Sequence, residues 1–334
     1  MNDLELYGIK NPNLTTLHFD NEEDWLELRR KGIGGSDIGA IMGLNEYSSP
    51  LKVYKQKVEG FKEDLSDNAN IKKGKVLEDL ILKEYVRPKM ESLGYTVAKP
   101  NFMIVNNQYP YLRANVDGIG FSYTDDQNPI IIEIKWVSEF GEVKWNKEEY
   151  LGIPPSYYAQ IQLYLLVTGC EKAYLCALFD KKWEMHYYEI PKDEAFCALL
   201  LKQALAFYSY NMLMKIPPKT DYTLDKDTVV ETVTKNPEPT TPDFEMTDVV
   251  NKYYEINTKI NELDKQKKEL ATELYNMYAK GHYPENCDLK FKISVVTSKN
   301  FDSTSFRKDY PELFEKYVKQ STSPRLTIKK WHQN

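Results

Sequence analysis

Apolar and polar positions along this chain follow two periods, and the switches between them predict its elements. "NEEDWLELRRKGIGGSDIGAIMGL", residues 21–44, predicts a short helix, a Gly-rich turn and a second helix opening near Ser36. "NIKKGKVLEDLILKEYVRPKMESLG", residues 70–94, has helical spacing, with Val76, Leu77, Leu80 and Ile81 as its apolar stripe and an end near Gly94. The segments 95–106, 111–123 and 129–137 read as strands, the last being the β-branched run "PIIIEIKWV". A helix follows between Pro155 and Gly169, then strands over 172–180 and 183–191 and a long helix over 192–213. Helix, strands, helix, strands predicts an α/β domain over residues 1–220, with a mixed central sheet flanked by helices.

Beyond residue 220 the texture changes. Pro, Thr and acidic residues dominate 221–246 and mark a linker. Residues 247–334 then form an extension that opens with a heptad pattern. Val249, Ile256, Leu263, Leu270 and Met277 recur every seven residues, and Tyr253, Ile260, Lys267 and Leu274 fill the interleaved positions. This coiled-coil-like helix suits either packing within its own chain or self-association. The end of the chain reads as α+β: a strand over 289–297, a helix over 303–318 and a closing strand over 325–331.

Charge divides the chain in the same place. The net charge is −6, but Lys290 to Asn334 hold ten Lys/Arg against four Asp/Glu, so the preceding residues carry −12. A basic tail on an acidic body is either a nucleic-acid contact or a solvated surface. The four cysteines form no C-x-x-C pair, so free thiols and a reducing, cytoplasmic setting are expected. No apolar run reaches the roughly 18 residues of a membrane span, and no signal peptide opens the sequence.

The sharpest chemical signal lies inside the β-branched run. Glu133 and Lys135 are two residues apart, so a strand turns both to one face, while Ile132, Ile134 and Trp136 turn to the other. Burying a charge costs several kcal/mol unless it is paired or bound to a metal. A plain ion pair at a sheet edge would satisfy the Glu and the Lys. Asp117, sixteen residues earlier in "NVDG", extends the pattern, because two adjacent strands can set its carboxylate beside that of Glu133. Two carboxylates and an amine suit metal-assisted phosphodiester hydrolysis, with hard oxygens for Mg2+ and a cation for the developing charge.

Asp117 followed by Glu133-Ile134-Lys135 resembles the D…(D/E)-x-K signature of restriction-endonuclease-like nucleases. "WLELRRKGIGGSDIGAIMGL", "GKVLEDLI", "VDGI", "IIEIKW" and "YYAQIQLYLLVTG", in this order, narrow the resemblance to the YqaJ-like viral recombinase family, related to phage lambda exonuclease. The resemblance implies a restriction-endonuclease-like core and a Mg2+-dependent 5′-to-3′ exonuclease on linear double-stranded DNA, with Mn2+ as an alternative and two ions in the site. By the same resemblance Asp117, Glu133, the Ile134 backbone carbonyl and Glu78 are metal ligands. Lys135 is the catalytic lysine, Gln160 supports the centre, and Arg29 and Ser36 grip a 5′ phosphate. A helix start near Ser36 also suits an anion, and an arginine adds a charge-assisted contact.

Bland alternatives stand beside these roles. Glu78 reads equally as a solvated helix acid, Gln160 as an ordinary polar residue and Ser36 as a helix cap, with Arg30 in place of Arg29. At the level of function, the alternatives are an endonuclease on the same fold and a non-catalytic protein that binds or scaffolds DNA ends. The resemblance further implies a single-strand annealing protein as partner, a homo-oligomer, and a phage or prophage origin in a bacterial host.

Overall fold

The computed structural model describes residues 3–61, 69–124, 127–145, 149–235, 241–284 and 291–328. It divides into two compact units, residues 1–226 and 227–334.

The first unit opens with β1 (Leu14–His18), α1 (Glu22–Arg30), the two-residue β2 (Ile33–Gly34), α2 (Gly35–Ile41) and α3 (Pro50–Tyr54). The predicted helix over 70–94 is three pieces. α4 (Ala69–Ile81) runs into a π turn at Leu82–Val86 and then α5 (Arg87–Ser92). Pro88 supplies no backbone N–H at the start of α5, and the wider turn absorbs the break. The predicted stripe also narrows: Ile81 is buried and Leu77 packs beside it, but Val76 and Leu80 face solvent.

The strands β3 (Thr96–Ala98), β4 (Phe102–Asn106), β5 (Leu112–Arg113), β6 (Gly118–Phe121) and β7 (Ile130–Val137) follow. Next come α6 (Pro155–Thr168), β8 (Lys172–Phe179), β9 (Glu184–Pro191) and α7 (Glu194–Ala206), whose last turns at Phe207–Leu213 are π-helical. The central sheet has the order β3-β6-β7-β8-β9, and smaller pairs join β1 to β4 and β2 to β5. β6 and β7 are antiparallel, whereas β7 and β8 are parallel. A parallel neighbour requires a crossover, and α6 supplies it. Pro155 sits in its first turn, and Gly169, at φ 78°, ends it.

β7 separates two apolar cores. Ile130, Ile132 and Ile134 face Ile81, Val86 and Met90 on the α4–α5 side. Ile131 and Val137 join Ile161, Leu165 and Leu200 on the α6–α7 side. The predicted mixed α/β layers are therefore present. Packing continues past residue 220: Asp225 is buried and accepts a hydrogen bond from Ser49 at 2.5 Å. Cys170, Cys176 and Cys197 are buried free thiols, while Cys287 lies outside the described residues.

The second unit departs more from expectation. The segment read as linker contains α8 (Lys226–Lys235), and the heptad pattern forms the 36-residue α9 (Phe244–Ala279). Of the predicted strand over 289–297, residues 289 and 290 lie outside the described residues, and 291–297, like the residues up to 300, have no regular structure. Alternating apolar residues need a partner strand, and none is offered among the described residues. Residues 325–328 of the predicted closing strand are likewise irregular, and Lys290, Lys329 and Lys330 lie outside the described residues. The helix expected over 303–318 is two, α10 (Ser303–Asp309) and α11 (Pro311–Tyr317). Pro311 disfavours a helical residue before it, and Tyr310 adopts φ −137°, ψ 63°. Among the described residues no helix is long and apolar enough to cross a membrane.

Candidate active site

β6 and β7 build the acidic centre by register. Gly118 pairs with Ile132, so the next step along both strands brings Asp117, just before β6, opposite Glu133. The Asp117 carboxylate accepts a 2.7 Å hydrogen bond from the Ile134 N–H. A strand residue turns its N–H and C=O to the same edge, so the Ile134 carbonyl also looks toward Asp117. Glu133 points to the α6 side, where its Oε1 accepts from the Lys135 ammonium and from Gln160 Nε2, the latter at 2.6 Å. Gln160 also donates to the Tyr164 hydroxyl at 3.0 Å, and the Lys135 ammonium lies 5.1 Å from the centre of the Tyr157 ring. Asp117, Glu133, Lys135 and Gln160 are thus brought together, with Tyr164 as an unforeseen support.

The electrostatics of this group are unbalanced. Burial and the neighbouring Glu133 push the Asp117 carboxyl well above the ordinary aspartate value. Burial likewise raises Glu133, although Lys135 opposes the shift. Burial alone would lower Lys135, but Glu133 and Asp117 outweigh it and hold the ammonium above its ordinary value. Glu133 Oε2 is buried and receives no hydrogen bond. An unpaired carboxylate oxygen in such a setting costs free energy that a cation would recover. Two carboxylates, one with a bare oxygen, beside a backbone carbonyl form a donor set of the kind hard divalent cations take.

Glu78 stands at the margin of this set. It contributes to raising both Asp117 and Glu133, yet its Oε1 accepts from Lys99 at 2.9 Å, and Asp79 holds the same ammonium at 2.6 Å. Among the described residues no group of three or more His, Cys, Asp or Glu is arranged to hold a metal ion.

A second cluster surrounds Arg29 at the end of α1. The Arg29 guanidinium donates to Ser36 Oγ at 2.6 Å and lies 4.7 Å from the centre of the Trp25 ring. Arg29 and Ser36 therefore meet, whereas Arg30 lies against Gly60. Ser36 is inside α2 rather than its cap. The cap is Gly34, whose N–H donates to Asp37 Oδ2 at 2.7 Å. Asp37 also binds Lys57 at 2.6 Å and approaches Arg29 at 3.8 Å, while Lys57 donates to the Arg29 backbone carbonyl at 2.7 Å. Both side chains of this ion pair are 4% exposed. Burial would raise the Asp37 carboxyl, but Lys57 and Arg29 outweigh it and hold it below the ordinary aspartate value. Burial pulls Lys57 down against the attraction of Asp37.

Asp37 and Lys57 escaped the sequence reading, because a single Lys on a short helix carries no local sign that its partner lies twenty residues back. Gly35 has an unforeseen role too. A Cβ there would sit 2.6 Å from the Tyr164 ring and 2.7 Å from Gln160 Cγ, so α2 touches α6 at the residues that support Glu133. The two clusters share this contact. Trp25 adds a second link, donating from its indole N–H to Asn115 at 3.3 Å, two residues before Asp117.

Fold and site together define an α/β protein with an acidic, lysine-bearing centre at a strand break beside the crossover helix. Residues 24–171, which include every candidate site residue above, match the model of the YqaJ-like viral recombinase domain. The chain is 27% identical over 318 residues to "Uncharacterized protein YqaJ" of Bacillus subtilis (strain 168), covering 92% of this chain and 94% of that protein. That likeness necessarily runs into the second unit. Among solved structures, an alkaline exonuclease (LHK-Exo) from Laribacter hongkongensis is 19% identical, covers 64% of this chain and 98% of its own, and has a TM-score of 0.45. A phage related exonuclease from Haemophilus somnus 129PT is 13% identical, covers 57% of this chain and 100% of its own, with a TM-score of 0.40. Likeness at that distance assigns nothing by itself.

Proposed function

We propose that the first unit is a metal-dependent deoxyribonuclease that digests linear double-stranded DNA from its 5′ end, leaving 3′ single strands for phage-type recombination. The observation that carries this reading is the buried Asp117–Glu133 pair, in which the Lys135 ammonium binds Glu133 Oε1 and Glu133 Oε2 is left bare. Asp117, Glu133 and the Ile134 carbonyl would hold Mg2+, with Mn2+ as an alternative, in a two-ion site that Glu78 joins by leaving Lys99. The bound metal would lower the pKa of a water and offset phosphate charge.

The chain's own groups do the rest. Lys135, whose ammonium lies against Glu133, acts as a positive charge and donor toward the attacked phosphate. Gln160, steadied by Tyr164, fixes the orientation of Glu133. Arg29 and Ser36 grip the 5′ phosphate, and Asp37 and Lys57 hold Arg29 in place. The expected partners are DNA ends and, from the family resemblance, a single-strand annealing protein in a bacterial cytoplasm.

The test uses linear duplexes labelled at either end and a closed circle of the same sequence. Mg2+-dependent loss of the 5′ label, inhibition by chelator and an intact circle are expected. Cleavage of the circle would make the protein an endonuclease. No cleavage in Mg2+ or Mn2+, with retained end binding, would leave a scaffolding role.

A further inference from the structure

α9 is a 36-residue helix whose apolar residues face outward. Nine of its ten a and d positions between 246 and 277 are apolar, and each is 44–62% exposed. The stripe runs about 46 Å at 1.5 Å per residue. Covered in two copies, it would bury on the order of the ~1,200–2,000 Å² of a stable protein interface. A solvated helix would put polar residues on all sides.

The charged positions say what covers it. Lys267 is the one polar residue in the seam. In a parallel pair of identical helices it would meet Lys267 of the other copy directly, a like-charge contact in the core of the interface. In an antiparallel pair with full overlap, residues whose numbers sum to 523 share a layer. Lys267 then packs on Ile256 of the second copy, and the two lysines stand roughly 16 Å apart, beyond the ~8–10 Å screening length. This register places Ile260 against Leu263 at the centre and Met246 against Met277 at both ends. On one flank it brings Lys252 beside Glu273 twice, by symmetry. On the other it sets Val250 against Ala271, so that flank is apolar toward both ends. These flanking positions normally set orientation and partner.

We infer that α9 pairs antiparallel with α9 of a second copy of this chain, in the full-overlap register. The inference is independent of the nuclease reading, because it uses none of its residues. It assigns the second unit to self-association and gives Lys267 the task of excluding the parallel arrangement.

Two measurements on the full-length chain test it. First, α9 contains no cysteine, so Met246→Cys, Met277→Cys and the double variant report orientation under mild oxidation. A reducible cross-linked dimer is expected from the double variant, well above the level of either single variant or the unmutated chain. Cross-linking by the single variants to the same extent would mean a parallel pair and overturn the inference. Second, Ile260→Glu with Leu263→Glu places four like charges at the centre of the interface. Solution mass by light scattering should fall to half that of the unmutated chain, with far-UV circular dichroism showing whether the helix survives. An unchanged mass would overturn the inference, as would a partner protein of different sequence occupying α9 while the chain stays single.

Discussion

β7 and α9 break the rule that polarity follows exposure in opposite directions. β7 is buried on both faces, yet carries Glu133 and Lys135. α9 lies in solvent, yet carries an apolar stripe interrupted at Lys267. Each excess points to something that completes the element. The bare carboxylate oxygen on β7 calls for a cation, and the stripe on α9 calls for another apolar surface. The means of completion differ because the cost of leaving each group alone differs. A buried charge costs several kcal/mol and must be met within a few ångströms, so its surroundings are built in detail. An exposed apolar side chain costs less and is met by area, so a repeated pattern suffices.

The strongest break of this comparison comes at the acidic centre. Asp117→Asn should cut Mg2+-dependent cleavage by at least about 10²–10³-fold, the usual scale for losing a preorganised electrostatic group. The same variant should be more heat-stable than the parent in chelator, because a neutral amide relieves the buried like-charge pair, at about 2–4 °C for each kcal/mol relieved. A less stable variant would mean that Asp117 is a structural group and β7 carries no unmet charge.

Next in size is the buried pair behind Arg29. Lys57→Met leaves Asp37 buried without its closest cation and should destabilise the first unit by about 3–5 kcal/mol, read from denaturant unfolding. pH should act on the same pair. Asp37 is held below its unfolded value, so its contribution is present above about pH 4 and is lost as pH falls through the folded value. The parent should therefore lose thermal stability between about pH 4 and the folded value of Asp37 more steeply than Lys57→Met does.

Arg29→Ala should reduce the preference for a 5′-phosphorylated over a 5′-hydroxyl end by roughly 10–100-fold, the value of about 1.5–3 kcal/mol for a hydrogen bond to a charged group. Equal digestion of both ends by the parent would remove the phosphate role and leave the cluster purely structural.

The smallest effect belongs to the basic end of the second unit. Lys292, Lys299 and Lys308 are exposed, and Arg307 lies 3.6 Å from Glu315. Truncation after residue 245 should flatten the salt dependence of DNA binding by about 0.9 on the log–log scale for each phosphate no longer neutralised, while cleavage chemistry persists. An unchanged slope would confine DNA binding to the first unit.

Much of the acidic centre was legible because its signals are local. A β-branched run announces a strand, period two sets Glu133 and Lys135 on one face, and sixteen residues suit a hairpin that returns Asp117 to its place. Arg29 and Ser36 were named from the family resemblance, and the structure brings them together. What the sequence hid are the long-range partners. Asp37 with Lys57, and Gln160 with Tyr164 and Gly35, become visible only when α2 meets α6 and the turn that follows α3. The tail strands failed for the complementary reason: residues 291–295 alternate, but alternation specifies a face and not a neighbour.

Gly35 works as a spacer of zero length. With hydrogen where any other residue has carbon, α2 rests directly on Tyr164 and Gln160. The separation between the Arg29–Ser36 pair and Glu133 is thus fixed by van der Waals contact instead of by a loop. A chain end held by the first would be measured off against the second as on a ruler. Gly35→Ala would lengthen that ruler by a few tenths of an ångström or more, so its first symptom should be misplaced cuts rather than a change in affinity.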